Sequence, residues 1–315
     1  MKMTDVLNEI KAHDTIIIHG HKRPDGDCYG GQFGMKSIIK ENFPNKKVYV
    51  VGEESQYVSY VGKPDTIEDS SYEGALVIIV DTATEERISD PRYRLGAKTI
   101  KIDHHIDVDA YADMNFVDTS FPAVSETVTN FAVENNLRIG LDGAIALYTG
   151  ILTDTGRFRY RGVSQRTHHM AGYLVSLGVD VEYIDQQLST ETLENVALKG
   201  YVYSNFVTTK GGFIYIKMTQ DVIASYGVTK ENAAAMVNLI GGIEGYPVWA
   251  LFMEYDDEIR VRLRSNGPTI NVVAEKFSGG GHAKASGASI NTWEDIEVFV
   301  EEVESVIKTY KENQS

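Results

Sequence analysis

The chain has 315 residues, 43% of them hydrophobic and 24% charged, with one cysteine and a formal net charge of −15. That length suits two domains of ordinary size, one cysteine excludes an internal disulfide framework, and no apolar run approaches the ~20 residues of a membrane span. Residues 1–190 carry 19 Lys and Arg against 28 Asp and Glu, and residues 191–315 carry 11 against 17, so neither half offers the basic face used to grip long nucleic acid. Small phosphate-bearing ligands, neutralised at one spot, are the better expectation. Residues 1–13 are charged and lack the apolar core of a signal peptide, and the lone Cys28 suits a reducing compartment, so the chain is expected to be cytoplasmic.

In chain order, residues 15–19 (TIIIH), 47–51 (KVYVV), 75–80 (ALVIIV) and 98–102 (KTIKI) are short, continuous, β-branched runs. They are predicted as strands buried on both faces. Helical patterns are predicted over 30–42, 123–136, 142–153 and 165–177, and the alternation implies a mainly parallel α/β sheet. Residues 180–204 read as polar helix, a connecting segment. Beyond it come two hairpin patterns, 206–218 turning at Lys210-Gly211-Gly212 and 248–264 turning at Asp256-Asp257. Helices are expected over 270–277 and 293–310, completing a smaller α+β domain.

Four acidic or histidine-bearing segments fall where a metal site could be built. His21, Asp25 and Asp27 (in HKRPDGD) follow the first strand, Asp81 ends the third, Asp103-His104-His105 ends the fourth, and Asp154 ends the helix predicted over 142–153. Three of the four lie just past carboxyl ends of parallel strands, the edge where open α/β sheets form ligand crevices. Singly, each has an ordinary explanation: a strand-end Asp is a turn or cap residue, Pro24-Asp25-Gly26 is a turn signal, and His168-His169 shows that paired histidines are usually a surface feature. Together they are harder to dismiss, because several titratable groups at one edge cost burial energy unless a cation neutralises them. Carboxylates and imidazoles without a thiolate cluster suit Mn²⁺, and less selectively Zn²⁺ or Mg²⁺. With no Gly-x-Ser-x-Gly elbow and no paired Cys and His, activated water is the expected nucleophile.

These residues match a known pattern. His-x-x-Pro-Asp-x-Asp at 21–27, Asp81, Asp-His-His at 103–105 and Asp154 resemble the four metal-site motifs of the DHH phosphoesterases. Arg264-Ser265, then Ser278-Gly279-Gly280-Gly281-His282 and Ala285-Ser286-Gly287, resemble the glycine-rich signature of the accompanying DHHA1 domain. Within that family the chain looks most like the stand-alone bacterial nanoRNase / pAp phosphatases of the NrnA type. The resemblance implies a mainly parallel-sheet DHH catalytic domain over 1–185, a helical linker over 186–204 and a smaller α+β DHHA1 substrate domain over 205–315.

It further implies two Mn²⁺ per chain, with Mg²⁺ or Co²⁺ as substitutes. His21, Asp25 and Asp81 would hold one cation, and Asp27, Asp81, His104 and Asp154 the other, with Asp81 bridging. His105 would contact the reacting phosphate, and Asp103 would orient the histidines. Arg264, Ser265, His282 and a phosphate-binding loop of Gly279, Gly280 and Gly281 would grip the substrate. The chain departs from the family pattern at Cys28, where a small residue such as Ala is commoner, and at Ser278, which replaces the first of four glycines.

The implied activities are 5′→3′ hydrolysis of very short single-stranded RNA and conversion of adenosine 3′,5′-bisphosphate (pAp) to AMP and phosphate. Linear pApA or cyclic di-AMP are the alternative substrates; no long duplex and no membrane is an implied partner, and a homodimer is compatible with the pattern. One expectation comes from the residues alone. No acidic residue occurs between Asp154 and Asp180, whereas Arg157, Arg159, Arg161 and Arg166 do. On so acidic a chain this reads as a phosphate-attracting lip, with Arg157 foremost, or as a solvated loop. A module that senses nucleotides without cleaving them is the contrasting class, and the cost of keeping unpaired buried carboxylates weighs against it.

Overall fold

The computed structural model describes residues 2–314; Met1 and Ser315, the end residues of the two expected domains, lie outside the described residues. The chain divides between Thr190 and Glu191 into two compact units. In the first, α1 (Met3–Ala12) precedes β1 (Thr15–His19), α2 (Gly26–Asn42), β2 (Lys47–Val50), β3 (Leu76–Val80), β4 (Lys98–Asp103) and β5 (Met114–Val117). Helices α3 (Val124–Glu134), α4 (Leu141–Asp154), α5 (Gln165–Ser176) and α6 (Val181–Ser189) complete it. The sheet order is β2-β1-β3-β4-β5, all parallel. That order reverses direction between β1 and β3, which makes the carboxyl ends of these two strands the switch point where a crevice opens.

Side chains alternate across the sheet. Ile16, Ile18, Ile78, Val80, Ile100 and Ile102 join the helices in one core, while Ile17, Val77 and Ile79 pack under Tyr72, Ile88 and Tyr93. The four strands expected from their β-branched runs are present. Helix α1 was not expected, although Met3, Val6, Leu7 and Ile10 sit at helical spacing and are buried. Strand β5 (MNFV) is a half-buried edge strand with too little apolar run to stand out in sequence.

Helix α2 begins at Gly26, earlier than the expected 30, because the Asp25 side chain caps it, accepting from the Asp27 and Cys28 N–H groups. Glycines weaken helix propensity, yet Gly26, Gly30 and Gly34 recur every four residues and bring α2 close against α4. A Cβ on Gly30 would lie 2.7 Å from the Ala146 carbonyl oxygen, and one on Gly34 2.4 Å from Leu147 Cγ.

In the second unit, α7 (Leu193–Asn205) leads into β6 (Val207–Thr208), β7 (Phe213–Met218), α8 (Gln220–Ser225), α9 (Lys230–Ala235), β8 (Val248–Glu254) and β9 (Ile259–Ser265). Then follow α10 (Asn271–Ala274), β10 (Gly280–His282), β11 (Ala285–Ile290) and α11 (Ile296–Glu312). The sheet order is β10-β11-β9-β8-β7-β6. Both expected hairpins form, β6 with β7 and β8 with β9, and a parallel β7–β8 pairing that was not foreseen joins them. Phe299, Val303 and Ile307 of α11 bury one face of this sheet.

The glycine-rich segment, expected as a loop, is instead largely strand: β10 is an edge strand antiparallel to β11. Close pairing is the reason, since a Cβ on Gly279 would lie 2.0 Å from the Gly287 carbonyl oxygen, and Gly281 has φ +132°. Among the described residues no helix is long and apolar enough to cross a membrane.

The glycine stripe has a measurable consequence. On an open helix, Gly→Ala stabilises by about 0.8–1 kcal/mol, and Gly172→Ala on α5, where a Cβ meets nothing within 4 Å, should do so. Gly30→Ala should instead destabilise by about 1–3 kcal/mol, because α4 backbone must give way. Urea unfolding of the full chain checks the opposite signs.

Candidate metal centre

The turn after β1 presents His21. Its Nδ1 faces the Lys22 carbonyl at 2.9 Å, so Nε2 points at Asp81 Oδ2, 3.4 Å away, and at Asp25 Oδ1, 3.8 Å away. Asp81 follows β3 in a left-handed conformation, φ +52°, with its N–H donating to the Ile102 carbonyl. Asp tolerates that conformation better than most residues, and it turns the carboxylate between two histidines: Oδ1 lies 3.3 Å from His104 Nε2. His104 Nε2 is also 3.6 Å from Asp27 Oδ2 and 3.4 Å from Asp154 Oδ2. The six residues expected to hold cations, His21, Asp25, Asp27, Asp81, His104 and Asp154, therefore come together in the first unit, with Asp81 between the two groups.

Neighbouring elements hold these side chains in place. The Asp27 carboxylate accepts from the N–H groups of Val124 (2.6 Å) and Ser125 (2.9 Å), the first residues of α3. Helix α3 has no side-chain cap of its own at Ala123, so Asp27 caps it from α2, an arrangement that helix-end donors favour. Asp103 Oδ1 accepts from the His104 N–H, the His105 N–H and His105 Nδ1 at 2.8, 3.2 and 2.8 Å. It thus orients the His105 ring, whereas the His104 ring has its Nδ1 facing the Phe121 carbonyl at 3.3 Å.

The arginines expected to form a lip part company. Arg157 pairs with Asp185 at 3.1 Å and donates to Ser189 Oγ, and Arg159 donates to the Gly156 carbonyl; both line a small cavity with Tyr57 and Leu188. Arg166 turns away. It binds buried Glu126 at 2.7 Å, donates to the Ser120 carbonyl and lies 3.5 Å over the Phe121 ring, bracing the segment that presents the Phe121 carbonyl to His104.

In the second unit, Arg264, Ala285 and His282 stand opposite one another on β9, β11 and β10. Directly opposed residues share a sheet face, so Arg264 and His282 flank the small Ala285. Ser265 is buried, its hydroxyl donating to the Pro268 carbonyl and accepting from the Gly267 N–H, so it staples a turn. Arg262 is a further cation on this strand that the motif resemblance does not mark. It alternates with Val261 and Leu263 in IRVRLRS, lies on the Arg264 face, and stands opposite Gly287, which pairs with Gly280. A Cβ on Gly280 meets nothing within 4 Å, so no packing in the described structure requires bare backbone beside Arg262. The alternation could have revealed this arginine.

Comparison with known proteins agrees with both halves. The model of the DHH family N-terminal domain matches residues 15–151, and that of the DHHA1 domain matches 211–309. Over 98% of this chain and 99% of its counterpart, the sequence is 38% identical to the bifunctional oligoribonuclease and PAP phosphatase NrnA of Bacillus subtilis. The chain belongs to the DHH/DHHA1 phosphoesterase family. A probable enzyme of the same description from Streptococcus mutans is 40% identical over 96% of this chain and 98% of its own. An exopolyphosphatase-related protein from Bacteroides fragilis, solved by crystallography, superposes with a TM-score of 0.84 at 24% identity over 97% of each chain, which shows a shared fold.

The donor set of this DHH-family chain fits divalent cations. Asp27 and Asp81 are 0% and 3% exposed, and Asp81 Oδ1 is buried without a hydrogen-bond partner. Burial, then the charges of Asp81 and Asp154, push the Asp27 carboxyl well above the usual carboxylate range; burial and Asp81 lift Asp154 to about 6. Burial alone would lower the imidazoles, but Asp81 and the other carboxylates raise His104 to about 10, and Asp25 and Asp81 raise His21 further. The cluster retains protons in the absence of a cation. Cys28, buried within 4.8 Å of both His21 and Asp81, adds a thiol beside this set, and burial raises it to about 11.

Three outcomes follow for the centre. Asp27, Asp154 and His104 bind protons more tightly folded than unfolded, so chelator-treated protein should lose thermal stability as pH rises from about 6 towards about 10. Cation binding must displace those protons; calorimetry in buffers of different ionisation enthalpy should show proton release and affinity that strengthens with pH. Asp81→Ala should lose both cations and turnover together. Retention of either cation at wild-type affinity would contradict a bridging Asp81.

Proposed function

We propose that this chain is a two-metal phosphoesterase that shortens very short single-stranded RNA from the 5′ end and converts pAp to AMP and phosphate. The observation that carries this reading is the convergence of His21, Asp25, Asp27, Asp81, His104 and Asp154 in one unit. Near full-length similarity to enzymes named for those two activities supports the substrate class. The proposed cations are two Mn²⁺, with Mg²⁺ or Co²⁺ as substitutes, since carboxylate and imidazole donors suit them. When bound, such a pair supplies Lewis acidity and lowers the pKa of water at the site.

The protein side of the reaction follows from the hydrogen bonds. With Nδ1 engaged by Asp103, His105 has Nε2 free to donate to a non-bridging phosphate oxygen. Asp103, pinned by two backbone N–H groups, keeps that ring from turning. We assign Arg264, His282, Arg262 and the backbone at Gly279, Gly280 and Gly281 to the substrate's other phosphate, because an arginine fork matches phosphate bidentately. Ser265 contributes by holding the turn rather than through its hydroxyl. Arg157, already paired with Asp185, would have to exchange that partner for substrate. The net acidity of both units and the buried lone cysteine suit a cytoplasmic enzyme acting on small substrates.

With Mn²⁺, purified protein should release AMP and phosphate from pAp and shorten end-labelled di- to pentanucleotides, and a chelator should stop both. Parallel assays with pApA and cyclic di-AMP rank the alternatives; turnover of those alone would replace this reading. Arg262→Ala should raise KM for pAp about tenfold, in line with ~1.5 kcal/mol for a charge-assisted hydrogen bond, and leave kcat near wild type. An unchanged KM would remove Arg262 from the site.

A further inference from the structure

Lys101 is fully buried, the one lysine among the described residues that is. It lies on β4, opposite Ile79 of β3 and Asn115 of β5, on the sheet face covered by loops and 3₁₀ turns rather than α-helices. An ammonium is costly to bury unless its donors are satisfied, and the contacts here are specific. Nζ donates to the Ala83 carbonyl at 2.9 Å and to the Asp109 carbonyl at 3.0 Å, and lies 5.0 Å from the Tyr111 ring centroid. It is 3.6 Å from Asp103 Oδ2 and 3.7 Å from Asp107 Oδ1. Tyr111 in turn donates to the Thr82 carbonyl.

Two features make this more than a satisfied core lysine. Ala83 is two residues past Asp81, and Asp109 is four past His105, so one ammonium ties the loop that carries Asp81 to the loop that carries His104 and His105. Asp103, moreover, spends only Oδ1 on hydrogen bonds to the histidine segment, while Oδ2 is buried and has no hydrogen-bond partner. The Lys101 charge is what compensates that oxygen.

We propose that Lys101 is a positioning residue for the reaction, holding the Ala83 and Asp109 loops together and keeping Asp103 as the carboxylate that fixes His105. This rests on the reading that His105 meets the reacting phosphate. It predicts that loss of the ammonium acts through Asp103 and appears in kcat.

The test is a double-mutant cycle of Lys101→Gln and Asp103→Asn in the full chain with Mn²⁺, read with pAp and with bis(4-nitrophenyl) phosphate. Gln keeps donors for the two carbonyls but removes the charge. Lys101→Gln should lower kcat roughly 10- to 100-fold, the usual range for residues that orient metal-site groups, with KM changed little. In the Asp103→Asn background it should lower kcat much less, because the two act as one unit. Independent losses that multiply, or wild-type kcat in a folded Lys101→Gln, would overturn the proposal. If Lys101→Gln does not fold, Lys101→Arg replaces it: the retained charge should preserve kcat within a few-fold, and a 10- to 100-fold loss in a folded variant counts against it. If pAp is not cleaved but the aryl ester is, the substrate reading falls while the cycle is still read.

Discussion

A buried carboxylate has to be compensated, and Asp81 sets that demand at the centre of the first unit. It is almost fully buried, lies within 3.4 Å of His21 on one oxygen and 3.3 Å of His104 on the other, and has a further carboxylate, Asp27, nearby at full burial. Burial and then the neighbouring like charges push the Asp27 and Asp154 carboxyls upward, while the same carboxylates favour the protonated form of the two imidazoles. Divalent cations relieve the same demand without protons. Buried carboxylates retained in this number are therefore better explained by cation binding than by stability, since removing charge would stabilise a core that had no such task.

The rest of the first unit can be understood as holding that demand in place. The glycine stripe of α2 lets α4 approach closely, and the Asp27 carboxylate reaches the open N-terminus of α3. Arg166, on α5, braces the Phe121 segment that faces His104. Beneath the strand ends, Lys101 joins the loops following β3 and β4. Each of these contacts joins groups of the protein itself, the kind of fixed scaffold on which electrostatic catalysis depends.

The second unit works by a different physical means. Its sheet carries a row of arginines on β9, of which Arg262 stands opposite the bare backbone of Gly287 on β11 and, beyond it, Gly280 on β10. Close strand pairing explains Gly279 and Gly281, but Gly280 and Arg262 have no such internal reason. An edge strand with exposed backbone beside cationic side chains is chemically suited to an anion, whereas the buried carboxylates and imidazoles of the first unit are suited to cations.

The sequence by itself determined the local chemistry and the parallel sheet. Runs such as TIIIH and ALVIIV are legible because a strand buried on both faces must be continuously apolar, and the strand ends then place His21, Asp81 and the Asp103–His105 segment at one edge. Helix α1, strand β5 and the early start of α2 were not legible: their signals were short, or, for the Gly26–Gly34 stripe, ran against helix propensity. Tertiary structure alone decided how charges pair. Arg166 sits in the same basic stretch as Arg157 but binds Glu126, 40 residues away, and the glycine-rich segment became an edge strand because β11 was there to pair with it. Lys101 is simply one polar letter in KTIKID until the fold encloses it. Local propensity and hydrophobic period are written over a few residues, whereas which buried charge meets which partner depends on contacts between segments far apart in the chain.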